Sequence, residues 1–459
     1  MSKDVLIIGG GFAGLAAGVA LGKAGRRVRL LEQKPYLGGR ARSFREAATG
    51  SIVDNGQHLL MGCYHETFKF LETIGTRDTI RLEPQLRARF LDPGRKVSEL
   101  RCPNLPSPWH LLAGVSLSNS FSFSEKIDIL RMGRALRSGA NASEAATSAE
   151  GLTVEEWLGR LGQSERLQRN FWDLICIAAM NEDPRIASAV LFERVLRRAL
   201  FTSPLDSRLG VPRKGLSDCY TDAAARTIRS QGGEVELRRD VRGLIISEGA
   251  CKGVRLADGA LIEAETVVSA VPWYVFPGFL SPDLMGSAPF FSGLERLKPA
   301  PIISIYLWFD RPVTALAFAG LRGTTIQWLF NKGRIMGTSE NYLSLVLSGA
   351  HDHIARSKED LRDTALSELA SLLPGVQGAK LVHSLVIKER LATFSPSVDA
   401  ESMRPAAQTP IRGLYLAGDW TDTGLPATIE GAVQSGYTAA AQILQANPGG
   451  GRDAAFVEG

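Results

Sequence analysis

The chain has 459 residues, of which 44% are hydrophobic and 22% charged, with a formal net charge of +5. This is ordinary globular composition in a length that exceeds one simple core, so two interwoven domains are expected. The small positive excess does not imply nucleic acid as a partner and leaves only a weak attraction to anionic lipid headgroups. The five cysteines are scattered and form no C-x-x-C pair, which reads as reduced thiols with no metal site.

The first stretch organises the rest. The apolar run 5–8 reads as a buried parallel strand that breaks into Gly9-Gly10-Gly11-Phe12-Ala13-Gly14, a G-x-G-x-x-G turn. Gly9 permits the tight bend, Gly11 lets backbone approach a pyrophosphate, Gly14 packs a helix against the strand, and Ala13 belongs to the same contact surface. A helix over 15–23 aims its N-terminal amides at the phosphates. A second strand, 27–31, leads to Glu32, about 20 residues beyond the glycines, where a carboxylate accepts hydrogen bonds from ribose hydroxyls and repels a 2′-phosphate.

Next comes Gly38-Gly39-Arg40-Ala41-Arg42, backbone amides and cationic donors suited to phosphate. Asp54-Asn55-Gly56-Gln57-His58 is a polar cluster opening onto apolar residues, which suits either a site mouth or a turn before a buried helix. Residues 64–75 have helical periodicity. The stretch 103–123, with Trp109, Leu112 and Phe121 and almost no charge, reads either as a buried lid or as an interfacial patch dipping into lipid. Residues 139–151 read as an exposed loop, and 154–161, 167–180 and 186–200 as three cap helices. Asn181, Glu182 and Asp183 are expected to cap a helix.

The chain then returns to the nucleotide domain with a helix over 216–231 and strands over 234–237 and 241–247. A hairpin at 254–263 turns on Asp258-Gly259, and a buried strand follows at 266–271. Strands at 302–309, 324–330 and 342–347 and a helix at 360–372 predict a second sheet. Trp308, Phe309, Trp328 and Phe330 supply its large apolar faces, with core packing as the default. The final motif runs Gly413-Leu414-Tyr415-Leu416-Ala417-Gly418-Asp419 and on to Ala427-Thr428-Ile429-Glu430. Gly418 ends a strand, and Asp419 binds a sugar or phosphate-linked hydroxyl. A helix starting near Ala427, Thr428 and Ile429 places free amides beside an anionic group. The apolar N-terminus is better explained by the nucleotide turn than as a signal peptide. No uncharged run reaches the ~18 residues of a membrane span.

Together these motifs resemble the flavin amine oxidase and phytoene desaturase superfamily. "DNGQHLLMGCYHETFKFLETIG", "PRIASAVLFERVL", "YLWFDRPV", "QWLFNKG" and "LAGDWTDTGLPATIEGAVQSGYTAA" are similar to the squalene-associated FAD enzymes of the hydroxysqualene dehydroxylase family. The resemblance implies an α/β fold. A discontinuous Rossmann-type FAD-binding domain (1–60, 205–272, 405–446) is interwoven with a sheet-plus-helical-cap substrate domain (61–204, 273–404), followed by a disordered tail (447–459). It also implies Val241 at the adenine, a long isoprenoid alcohol as substrate, and squalene as product in hopanoid biosynthesis. Reduced flavin supplies hydride, and Asp54 or His58 supplies a proton while Gln57 and Asn55 orient the leaving group. The electron donor is left as NADPH or a redox protein. The expected location is the cytoplasm, with peripheral contact at the membrane's inner face. Where the family carries Thr-Pro-Pro after the cap-helix Asn, this chain has Glu182-Asp183-Pro184, which leaves the roles of Glu182 and Asp183 open. A carotenoid-type desaturase, an amine oxidase and a non-enzymatic flavin-binding module are the alternatives.

Overall fold

The computed structural model describes residues 5–92, 94, 97–138, 148–287 and 289–446. The expected tail 447–459 and most of the expected loop 139–151 lie outside the described residues.

Four consecutive apolar residues suit strand Val5–Ile8 to a position covered on both faces, and all four are buried, as in the centre of a parallel sheet. It pairs in parallel with Val28–Glu32 on one side and Thr266–Ser269 on the other. Glu234–Leu237 and Leu414–Leu416 complete a five-stranded parallel sheet. This is the expected Rossmann-type sheet, drawn from widely separated parts of the chain.

The crossover helix Phe12–Lys23 is nearly all Ala, Gly, Leu and Val and is buried on almost every side. Small residues let its neighbours come close: a Cβ on Gly436 of helix Ile429–Ala446 would lie 2.3 Å from the Ala13 carbonyl oxygen. The helix begins at Phe12 rather than 15, because the end of the glycine turn is already helical. Val241–Ser247, Ala250–Leu256 and Leu261–Glu263 form an antiparallel sheet. Its hairpin turns where expected, with Gly259 at φ +85° and the Asp258 carboxylate accepting from the Ala260 amide at 3.0 Å.

The second sheet has seven strands in the order Leu381–Phe394, Pro299–Phe309, Tyr342–Ser348, Trp328–Asn331, Phe318–Leu321, Arg87–Leu91 and Ser98–Arg101. The strand predicted at 324–330 starts only at Trp328. Ahead of it, the Thr325 and Ile326 amides donate to the Glu368 carboxylate at 2.7 and 3.0 Å, so they cannot join a ladder. In Pro299–Phe309, Ile303, Ile305 and Leu307 face one core with helix Lys358–Leu372, while Tyr306 and Trp308 face Val53 on the other side. The Tyr306 hydroxyl donates to the Asp54 carbonyl at 2.6 Å, fixing the second sheet against the first unit.

Helices Val154–Arg160, Asp173–Met180 and Ala189–Leu200 form the cap with Trp109–Leu117 and Phe123–Ser138. The Thr153 and Glu156 side chains make a reciprocal capping box, and Ser188 caps Ala189–Leu200, as short polar residues do at helix starts. Asn181 ends Asp173–Met180 at φ 54°. Its amide donates to the Ala300 carbonyl at 3.1 Å and to Thr393 Oγ1 at 2.8 Å, and its oxygen accepts from the Gly349 amide at 2.8 Å, tying the cap to the second sheet.

Candidate active site and cofactor cleft

A continuous cavity of about 1430 Å³ runs between the parallel sheet, the second sheet and the cap. That exceeds the roughly 300–1,000 Å³ of an ordinary small-molecule site, so it has room for more than one ligand. One end is bordered by Glu32 and Val241, the middle by Gly9, Gly11, Ala13, Gly38, Gly39 and Arg40, and the next part by Gly418, Asp419, Ala427, Thr428 and Ile429. Thus the predicted cofactor residues, distant in sequence, border one space. Gly14 is the exception and does not line the cavity; a Cβ there would lie 2.0 Å from the Gly9 carbonyl oxygen, so it serves helix-to-strand packing.

The cleft suits a dinucleotide on three observations. A Cβ on Gly11 would meet no protein atom nearer than Gly39 Cα at 4.0 Å, so the space its missing side chain leaves belongs to the cleft and not to protein packing. No side chain caps helix Phe12–Lys23, which leaves its first amides available to an anion. Glu32 is held by the Gly10 amide on Oε2 and the Lys34 amide on Oε1, both at 2.8 Å, with acceptor capacity left over. At the far end Thr428 accepts from the Gly431 amide at 3.0 Å, starting helix Ile429–Ala446 beside the cavity.

Arg40 and Asp419, both read as ligand contacts, also bind each other: Nη2 stands 2.5 Å from Oδ1, while Nη1 donates to the Ala392 carbonyl at 2.8 Å. Burial opposes the Arg40 charge, but Asp419 together with Tyr274 and Glu389 outweighs it and holds the guanidinium above its ordinary range. Through the Ala392 carbonyl on strand Leu381–Phe394, Arg40 also ties the parallel-sheet side of the cleft to the second sheet.

The 54–58 cluster divides. Asn55, Gly56, Gln57 and His58 line the cavity, whereas Asp54 does not. Asp54 is buried and pairs with the Lys332 ammonium at 2.6 Å. It also accepts from Ser43 Oγ at 2.6 Å and the Leu216 amide at 2.9 Å. Burial works against the carboxylate, but Lys332 and these hydrogen bonds hold it below the usual range. Asp54, expected at the mouth of the site, thus lies behind the wall, its carboxylate held by Lys332, Ser43 and the Leu216 amide. His58 is held below the ordinary imidazole range, chiefly by burial, with Asp54 raising it and Lys332 lowering it. The Gln57 amide donates to the His58 carbonyl at 3.2 Å, and its oxygen is buried without a protein partner.

Beyond this polar zone the cavity enters an apolar chamber walled by Phe90, Leu100, Val115, Met132, Phe171, Trp172, Leu196, Trp328 and Phe330, among others. Trp308 and Phe309, by contrast, are core residues. Glu182 and Asp183 lie outside the lining; Glu182 Oε1 accepts from the Asp183 amide at 2.9 Å and faces His351 Nε2 at 2.9 Å.

Sequence reasoning missed Arg198 and Glu430, which line the cavity and pair at 2.6 Å. Glu430 also accepts from the Glu66 and Thr67 amides and the Thr67 hydroxyl. Arg198 stands beside Arg197 in the last turn of helix Ala189–Leu200, and nothing local sets it apart. The available signal was Glu430 itself, a carboxylate inside an otherwise small and apolar helix start.

Comparison with known proteins gives the family. Residues 12–444 match the flavin-containing amine oxidoreductase family, and the chain belongs to it. It is an FAD-dependent oxidoreductase. Among curated relatives, hydroxysqualene dehydroxylase of Rhodopseudomonas palustris is 29% identical over 97% of this chain and 99% of its own. The protein of the same name from Zymomonas mobilis is 29% identical over 95% and 97%. The 15-cis-phytoene desaturase of Solanum lycopersicum is 26% identical over 96% of this chain and 78% of its own. An oxidoreductase structure from Methanosarcina mazei superposes with a TM-score of 0.74 at 16% identity, covering 96% of this chain and all of that one. A putrescine oxidase variant gives 0.71 at 17% identity, covering 97% and 99%.

Proposed function

We propose that the chain removes the hydroxyl of hydroxysqualene by hydride transfer, giving squalene. The observation that carries the reading is the single cavity joining the dinucleotide turn to a large apolar chamber, in a chain whose full-length relatives include hydroxysqualene dehydroxylases. Bound FAD, once reduced, supplies hydride. The chain's own residues do the rest. Phe90, Phe171, Trp172 and Trp328 enclose an isoprenoid chain and exclude water, which raises the cost of separated charge and favours collapse of an allylic cation by hydride capture. Departure of the hydroxyl as water needs a proton. His58, at the border of the polar and apolar zones, donates it, and Gln57 and Asn55 orient the leaving oxygen.

The same reading includes peripheral contact with a bilayer, the source of so apolar a substrate. Helix Trp109–Leu117 has two faces. Leu111, Leu112 and Val115 line the cavity, while Trp109 is 59% and Leu117 80% exposed, next to Phe123 at 81%. The stretch 103–123 is thus wall and exposed apolar edge at once, and Phe121 is buried. Among the described residues no helix is long and apolar enough to cross a membrane, so the contact is monotopic.

Phytoene desaturation is the second reading, favoured by desaturases of comparable similarity. It runs the flavin in the opposite direction, as hydride acceptor. Incubating the enzyme anaerobically with hydroxysqualene after chemical reduction of its flavin, and in the oxidised form with phytoene and a panel of amines, with product analysis and peroxide detection, tests the proposal. Squalene from hydroxysqualene is the expected result. Desaturated phytoene or peroxide with no squalene overturns it.

A further inference from the structure

The Lys332 and Asp54 pair has no part in the chemistry above, yet it is built with care. Lys332 is 0% and Asp54 2% exposed, and neither lines the cavity. A buried ion pair is often no more stabilising than apolar residues of the same volume, so its presence here calls for another reason. Asp54 is fixed from three further directions: Ser43 Oγ at 2.6 Å, the Leu216 amide at the start of helix Leu216–Ser230, and Tyr306 Oη on its carbonyl at 2.6 Å. Directly after it the chain bends through Gly56 at φ +141° and presents Asn55, Gln57 and His58 to the cavity. A Cβ on Gly56 would lie 3.8 Å from His58 Nε2, so the bend and the imidazole are close neighbours. Lys332 follows strand Trp328–Asn331, whose Trp328 and Phe330 are also cavity wall.

We propose that Lys332 and Asp54 are positioning residues of the reaction centre, holding the 55–58 loop to the wall and acting on His58 as two opposed charges from behind. The carboxylate on strand Ile52–Asp54 favours the imidazolium, and the ammonium on helix Lys332–Met336 disfavours it; these are the two charged groups acting on His58. Paired, they oppose each other, and burial, the largest influence, holds the ring below the ordinary imidazole range. The inference rests on the reading that His58 borders the reacting group, but its test needs no substrate, so the two fail separately.

The full-length, FAD-loaded enzyme is labelled with ¹³C-histidine and titrated by NMR, with His58 assigned from its loss in His58→Gln. Asp54→Asn and Lys332→Gln are close in size to the parent residues, and the bound flavin spectrum reports folding. Lys332→Gln should raise the His58 midpoint and Asp54→Asn should lower it, each by about one pH unit, a tenfold change in proton affinity. The double variant, which leaves no unpaired charge, should return close to the parent. Midpoints that stay put, or move in the same direction in both single variants, overturn the proposal and leave the pair with a purely structural role.

Discussion

Replacing Glu32 by Ala should weaken FAD binding as well as the fold. The carboxylate is 7% exposed at the end of Val28–Glu32 and is held by the Gly10 and Lys34 amides at 2.8 Å each. A carboxylate has about four acceptor positions, so about two remain for ribose hydroxyls. A hydrogen bond to a charged group contributes about 1.5–3 kcal/mol. Loss of one such bond's worth of binding raises the Kd for FAD by about 10- to 150-fold. The apoprotein also suffers, because the buried Gly10 amide is left without its acceptor, at a cost of about 1–3 kcal/mol. The assay is equilibrium titration of apoprotein with FAD, read by quenching of flavin fluorescence, alongside thermal unfolding without FAD. A lowered Tm with a Kd within twofold of the parent would refute the reasoning and leave Glu32 as a brace for the turn.

The two glycines of the same turn should separate binding from folding. Gly11→Ala points into the cleft and meets no protein atom nearer than 4.0 Å, so it should keep the apoprotein Tm while lowering FAD affinity; Gly14→Ala, aimed at a carbonyl 2.0 Å away, should lower soluble yield or Tm. Equal Tm losses in both would contradict the placement of the cleft. Because burial holds His58 below the usual imidazole range, its protonated, acid-competent form accumulates only as pH falls. The single-turnover dehydroxylation rate should therefore still be rising as pH drops below about 6.5, and His58→Gln should lose about 10² to 10⁴ in rate and flatten the profile; a rate that falls on acidification removes His58 as the acid. Serine at Trp109, Leu117 and Phe123 together should reduce co-sedimentation with anionic vesicles without changing FAD content, and unchanged co-sedimentation would take the exposed edge out of membrane contact.

The nucleotide half was legible because each of its features is local. An apolar run, a glycine spacing and an acid at a fixed distance occur within one short stretch and each has a direct backbone consequence. The sheet's return strands were legible for the same reason, as short buried runs beside turn residues. What escaped depended on partners far along the chain. Asp54 looked like a member of a polar mouth because Lys332, its ion partner, sits 278 residues away. Arg40 and Asp419 were each assigned to a ligand, whereas their mutual bridge spans 379 residues. The strands Arg87–Leu91 and Ser98–Arg101 carry Arg87, Arg89 and Glu99, whose cross-strand ion pairs hide a sheet edge behind a polar composition. The 103–123 stretch offered a choice between wall and surface that periodicity alone cannot make, since the structure uses one helix for both.

The most direct test of the account is an anaerobic single turnover. The flavin of the purified enzyme is reduced chemically, mixed with hydroxysqualene, and followed by the return of oxidised-flavin absorbance while quenched samples are analysed for squalene. The account predicts that flavin reoxidation and squalene formation share one rate and one stoichiometry. Reduced flavin that persists in the presence of hydroxysqualene, with no squalene formed, would contradict it.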